Sequence, residues 1–195
     1  GFDAPPWTYK DFEETDLMIF VGANTVIAHP IMWNRVKMNK KDAGMVVIDP
    51  RATQTARAAD MHLQIKPKSD LTILYAVANI IIQRDWIDHD FVKKHLAGFD
   101  EFARHVKEFT VERAAEDSGI STRAIETLAE RIHSSEAVSM YWTMGVNQSH
   151  QAVRTAQGII NLCLITGNIG RPGTGPNSIT GQANAMGSRL FSNTT

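Results

Sequence analysis

The spacing of apolar positions changes several times along the chain, and each change marks an element. Leu17-Met-Ile-Phe-Val21 is a continuous apolar run stopped by Gly22, the pattern of a strand buried on both faces. From about His29 to Lys41 the period lengthens to that of a helix, with Ile31, Met32, Arg35, Val36 and Met38 in register. Met45-Val-Val-Ile48 is a second buried strand, closed by Asp49-Pro50, and His62-Leu-Gln-Ile65 alternates as a third that ends before Pro67. Ser69 stands where a cap is needed for a long helix with Leu71, Leu74, Tyr75, Ala78, Ile81 and Ile82 on its inner face.

The stretch from about Trp86 to Ser135 reads as helical. Thr110 can cap a short helix ending at Gly119, and Ser121 another that turns Ile125, Leu128, Ala129 and Ile132 inward. Ala137 to Trp142 reads as a fourth strand and Ser149 to Thr166 as the next helix. Strands separated by helices require crossover connections, which predicts an α/β fold. Its form is a single domain over 1–195 with a Rossmann-like, mainly parallel sheet flanked by helices and a helical middle segment.

Residues 166–195 break this rhythm. Thr166 to Arg189 holds six of the thirteen glycines and two of the seven prolines, a composition that predicts neither helix nor strand. Between them sit Asn168, Asn177, Ser178, Thr180, Gln182, Asn184, Ser188 and Arg189, all hydrogen-bonding side chains. A long polar loop in a compact domain is uncommon and tends to serve a ligand.

Composition narrows the function classes. A chain of 195 residues with 43% hydrophobic and 21% charged residues suits a globular domain with a real core. A formal charge of −1 gives no overall basic face for nucleic acid. No apolar run reaches the roughly 18 residues of a membrane span. The start, Gly1 to Trp7, has neither the basic head nor the apolar core of a signal peptide, and it has no initiator Met. With the ending Phe191 to Thr195, that predicts a piece of a longer chain. The one cysteine, Cys163, excludes an internal disulfide and a multi-cysteine metal site within this chain. It falls on the apolar stripe of the helix after Ser149, where a small core residue is expected.

In an open parallel sheet, ligands bind beyond the carboxyl ends of the strands, at the switch in strand order. Here those ends are polar. The first is followed by Gly22-Ala-Asn24, where glycine lets backbone approach a ligand and Asn offers donor and acceptor. The helix after it would present free N–H groups to a phosphate. The second strand ends in Asp49-Pro50-Arg51, a carboxylate for paired N–H donors and a guanidinium for phosphate. Lys68-Ser69-Asp70 follows the third, and Met144-Gly145-Val-Asn-Gln148 the fourth. Together they predict a nucleotide-like ligand along the carboxyl edge. Gly22-Ala-Asn24 lacks the Gly-x-Gly-x-x-Gly pattern of a nicotinamide fold. His29, ahead of Pro30, stands between a backbone hydrogen bond and a cofactor contact. The other histidines have no metal-site spacing, so no metal ligand is expected.

These motifs resemble those of the molybdopterin oxidoreductases. The resemblance rests on Gly22 to Pro30, Asp49-Pro-Arg51 with Thr55 to His62, Lys68-Ser-Asp70, Met144 to Gln148 and Leu164 to Gly173, in order and spacing. Within the family the chain is similar to bacterial nitrate reductase catalytic subunits, and Thr180 to Arg189 resembles their assimilatory branch. The resemblance implies molybdenum held by two molybdopterin guanine dinucleotides, with this segment holding one dinucleotide tail. It implies cofactor contacts from Gly22 and Asn24 to phosphate or ribose, from Asp49, Pro50, Arg51 and Ser69 near the nucleotide, and from Asp70 to guanine. Met144, Gly145 and Gln148 would line the pterin, and Gln182 and Arg189 would face the substrate pocket, Arg189 as the positive charge for nitrate. Formate dehydrogenases of the family carry Arg before the Gly-Gln that matches Gly181-Gln182; here that residue is Thr180.

The family's 4Fe-4S cluster is bound by N-terminal cysteines that this chain lacks, which implies an internal fragment, inactive alone. The implied partners are nitrate as substrate and an electron donor protein or domain, with no nucleic acid and no membrane span. The implied compartment is cytoplasmic, with periplasmic the alternative. The rival readings are another oxidoreductase of the family, such as a formate dehydrogenase, and a non-catalytic nucleotide-binding module.

Overall fold

A computed structural model of the chain describes residues 6–181 together with Gly187 and Phe191. In chain order the elements are α1 (Asp11–Glu14), β1 (Leu17–Val21), α2 (Thr25–Ala28), α3 (Pro30–Lys37), β2 (Gly44–Ile48), α4 (Gln54–Arg57), β3 (Met61–Leu63) and α5 (Asp70–Gln83). There follow α6 (His89–His95), α7 (Phe99–Val106), α8 (Val111–Ser118), α9 (Thr122–Ser134), β4 (Val138–Trp142), α10 (Met144–Asn147), α11 (Ala152–Ile165) and β5 (Gly175–Ser178).

The five strands form one sheet in the order β3-β2-β1-β4-β5, every neighbouring pair parallel. The α/β reading with a mainly parallel sheet therefore holds. The chain fills one side of β1 with β2 and β3, then crosses through α5–α9 to place β4 on its other side. That reversal makes the gap between the ends of β1 and β4 the switch point of the sheet.

Each central strand feeds two cores, because successive side chains point to opposite faces. Leu17, Ile19 and Val21 of β1, with Val46, Ile48, Val138, Met140 and Trp142, pack under α5, α8, α9 and α11. Met18 and Phe20, with Val47 and Tyr141, pack against Phe12, Met32, Val36 and Ala56 from α1, α3 and α4. This explains why the strands read as unbroken apolar runs. Tyr141 lies stacked between Phe12 and Phe20, with centroids at 4.5 and 5.2 Å. Cys163 is buried in the first core, and burial pushes its thiol pKa up, the property of an inert core residue.

Helix caps follow the sequence reading in the middle segment. Thr110 accepts from the Arg113 N–H and Ser121 from the Ala124 N–H, each opening its helix as predicted. At α5 the prediction of a side-chain cap is wrong. Ser69 makes no cap bond; its hydroxyl donates to the Lys66 carbonyl at 2.6 Å.

The glycine-proline run also differs from expectation. Gly175–Ser178 is a strand, β5, pairing with β4 from Ser139↔Gly175 to Trp142↔Ser178. It lies at the sheet edge, where Pro176 can forgo a ladder donor at no cost to pairing. The turn before it is tied down by Asn168, whose Oδ1 accepts the Val138 N–H at 2.9 Å and whose Nδ2 donates to Thr166 Oγ1. Among the described residues no helix is long and apolar enough to cross a membrane.

Candidate functional site

The carboxyl ends of β1 and β4 are locked to each other. The Gly22 carbonyl accepts the Gly145 N–H at 3.1 Å and the Thr143 hydroxyl at 2.8 Å. Gly22 has φ +55°, and a Cβ there would lie 2.8 Å from Gly145 Cα. Only glycine meets both demands, so the apolar run of β1 has to end on that residue. The sequence motif after β4 is not simply a polar strand end, since Met144–Asn147 winds into the single turn of α10.

Around this junction opens a cleft of 560 Å³, within the range of small-molecule and cofactor sites. Gly22, Asn24 and Ala28 line it from the β1 side, and Asp49, Pro50 and Arg51 from the end of β2. Pro67, Lys68 and Asp70 enter from the turn into α5, and Thr143, Met144, Gly145, Gln148, Ser149 and His150 from the end of β4. Gly181 lines it as the chain leaves β5. Nine residues expected to contact cofactor therefore share one wall system: Gly22, Asn24, Asp49, Pro50, Arg51, Asp70, Met144, Gly145 and Gln148.

Ser69 is the exception, buried with its hydroxyl turned into the preceding turn. Gln182 and Arg189 lie outside the described residues. Ala28, Pro67, Lys68, Thr143, Ser149, His150 and Gly181 belong to the cleft without having been assigned a cofactor contact, although Ala28, Lys68 and Gly181 lie within the quoted motifs. Most of them adjoin a motif residue, and that adjacency was the signal available.

Several side chains are partly committed within the protein. Asn24 donates from Nδ2 to Gln54 Oε1 at 3.0 Å, and its Oδ1 accepts from Thr55 Oγ1 at 3.0 Å. It therefore fastens the β1 turn to α4. Between β1 and the helix read from about His29 to Lys41, which is α3, the structure inserts the four-residue α2, whose Val26 N–H is taken by Thr55 Oγ1. Asp49 accepts the Arg51 N–H at 2.8 Å, which fixes the turn at Pro50.

Asp70 is different. It opens α5 and faces the cleft, and burial holds its carboxyl pKa above the usual range; the charge of Asp49 adds to this, while its own backbone N–H partly offsets it. A desolvated carboxylate in a cleft is short of donors. Paired N–H groups from a ligand would supply them. Arg51 and Lys68, both exposed on the same cleft, provide positive charge for anionic oxygens. The donor set thus fits a group bearing adjacent N–H donors at one end and phosphate oxygens beyond. A second hollow of 370 Å³, between Lys10, Asp11, Glu14, Arg171 and Thr174, lies at the amino end of the sheet, away from the switch point. No group of three or more potential metal ligands occurs among the described residues.

The terminal run returns to the cleft through His29. Its Nε2 pairs with the Thr180 carbonyl, joining the start of α3 to the residue before Gly181. Of the two roles open to His29 in the sequence, the structure shows the backbone bond.

A family model described as Molybdopterin oxidoreductase matches residues 5–193. The nitrate reductase of Synechocystis sp. is 40% identical over 192 residues, covering 97% of this chain and 27% of that protein. The assimilatory nitrate reductase of Haloferax mediterranei is 41% identical over 192 residues, covering 98% and 26%. The F420-dependent formate dehydrogenase 1 subunit alpha of Methanococcus maripaludis is 35% identical over 188 residues, covering 96% and 28%. Among solved structures, acetylene hydratase from Pelobacter acetylenicus shares the fold, with TM-score 0.75 and 23% identity over 84% of this chain and 23% of that one. The chain thus spans about a quarter of the length of the curated relatives it matches.

Proposed function

The chain belongs to the molybdopterin oxidoreductase family, and we propose that it is the central cofactor-binding segment of a molybdenum-dependent nitrate reductase, inactive when separated from the rest of its polypeptide. The observation that carries the cofactor part is Asp70, a half-buried, desolvated carboxylate short of donors in the cleft, with Arg51 and Lys68 on the same cleft. Guanine presents a ring N–H and an exocyclic N–H side by side, so one carboxylate can accept both. The guanine dinucleotide form of the cofactor is what the family resemblance implies, and that match supports it.

When bound, the molybdenum–pterin group supplies the two-electron chemistry by which nitrate loses one oxygen atom and leaves as nitrite, the oxygen departing as water with two protons. The chain's own residues hold and orient. Asp70 would take the guanine edge, Arg51 and Lys68 would offset phosphate charge, and the bare backbone at Gly22 and Gly145 keeps the floor of the cleft free of side chains. Met144 and Gln148 would border the pterin end, and Arg189 and Gln182 would hold the nitrate anion. A donor protein or domain and a 4Fe-4S cluster elsewhere in the polypeptide would supply the electrons, and the assimilatory resemblance favours the cytoplasm over the periplasm.

Nitrate is favoured over formate by Thr180, which stands where the formate dehydrogenases of the family have arginine, and by Arg189 beyond it. The formate reading keeps a specific support in the 35% identity to a formate dehydrogenase subunit. In the full-length enzyme, Asp70→Ala should lower retained guanine nucleotide at least about tenfold, since a hydrogen bond to a charged group contributes about 1.5–3 kcal/mol. Arg189→Ala should cut nitrate turnover about a hundredfold, with no formate oxidation in the parent. Undiminished guanine nucleotide in the first variant, or unchanged nitrate turnover in the second, overturns the corresponding half of the proposal.

A further inference from the structure

The regular ladder between β4 and β5 extends one step past Ser178, where the Ile179 N–H donates to the Trp142 carbonyl at 2.9 Å. The next carbonyl, of Thr180, is held by a side chain from the other end of the sequence, the imidazole of His29. A carbonyl oxygen only accepts, so Nε2 carries the proton and donates. Nδ1 is then the bare acceptor, and it is buried with no hydrogen-bond partner among the described residues.

His29 is a firm anchor. Its N–H donates to the Thr25 carbonyl at 3.0 Å and its carbonyl accepts the Trp33 N–H at 2.9 Å, so it ends α2 and begins α3 at once. Pro30 follows and restricts its backbone further. On either side of the bond, Ala28 and Gly181 line the cleft. The contact therefore pins the point at which the chain leaves the sheet edge beside the cleft.

We propose that His29 is a positioning residue that clamps the exit of β5 through Thr180 and so holds Gly181 in the wall of the cleft. The consequence for substrate rests on the nitrate reading above; the clamp itself rests on described residues alone. His29→Leu keeps bulk and removes the donor, while His29→Gln keeps a donor of similar reach.

The test uses the full-length enzyme and reads hydrogen exchange at residues 179–181 beside steady-state kinetics. The clamp predicts that His29→Leu raises exchange there about 3- to 10-fold, the loss of one net hydrogen bond, with β1 and α3 unchanged and pterin content retained. It predicts that KM for nitrate rises by a similar factor with a smaller change in kcat, and that His29→Gln restores both. Unchanged exchange at 179–181 in His29→Leu overturns the clamp, as does increased exchange spread equally over β1 and α3. If exchange rises locally while the parent enzyme itself reduces no nitrate, the clamp stands and the nitrate reading falls.

Discussion

Gly22 and Gly145 touch backbone to backbone: a Cβ built on Gly145 would stand 2.6 Å from both the Cα and the carbonyl oxygen of Gly22. The contact sits at the sheet's switch point and forms the floor of the cleft. Gly145→Ala must push the ends of β1 and β4 apart. Overpacking of this kind costs about 1–3 kcal/mol, so thermal denaturation should show a lowered midpoint, and a binding assay should show weaker retention of cofactor. A variant with unchanged stability would mean that the junction relaxes freely.

Asp70 sets binding against stability. Burial raises its pKa in the folded state above the unfolded value, so folding favours the protonated form. Stability contributed by that proton is fully present below the unfolded pKa and is lost as pH rises through the folded one. Asp70→Asn should therefore leave the ligand-free protein equal or more stable at neutral pH and flatten the fall in stability with pH above about 4. Urea unfolding at several pH values checks this, and a less stable Asn variant at neutral pH would refute it.

Asn168 supports β4 from the glycine-rich turn by accepting the buried Val138 N–H. Asn168→Leu removes the acceptor without opening solvent access. An orphaned buried donor costs about 1–3 kcal/mol, readable as a drop in denaturant midpoint at unchanged slope.

Thr110 and Ser121 each satisfy one open N–H at the start of a helix in the middle segment. Replacing either by Ala should cost about 1 kcal/mol, and replacing both should cost close to the sum, because the two caps share no partner. Double-mutant unfolding measures the additivity.

What was legible in the chain follows from which interactions are local. β1 was readable to the residue because a strand buried on both faces needs an unbroken apolar run, and the caps at Thr110 and Ser121 were readable because a capping oxygen reaches only three residues ahead. Ser69 looked identical to those caps, yet its hydroxyl found the Lys66 carbonyl instead, a choice made by the turn at Lys68 with φ +77°. β5 was missed because Gly175, Pro176 and Asn177 have no strand propensity of their own. They pair because β4 offers them an edge.

The sequence by itself determined the class of the fold, the polar character of the strand ends and the family, since periodicity and motif spacing are written in neighbouring residues. Tertiary structure alone decided which of those polar groups remain open to a ligand. Asn24 and Asp49 spend hydrogen-bonding capacity on Gln54, Thr55 and the Arg51 N–H, Ser69 turns inward, and Asp70 is left desolvated and short of donors in the cleft. Likewise, nothing near His29 in the chain announces Thr180, 151 residues away. The reason is physical: hydrogen bonds between distant segments depend on the packing that brings those segments together, and that packing is a property of the whole sheet.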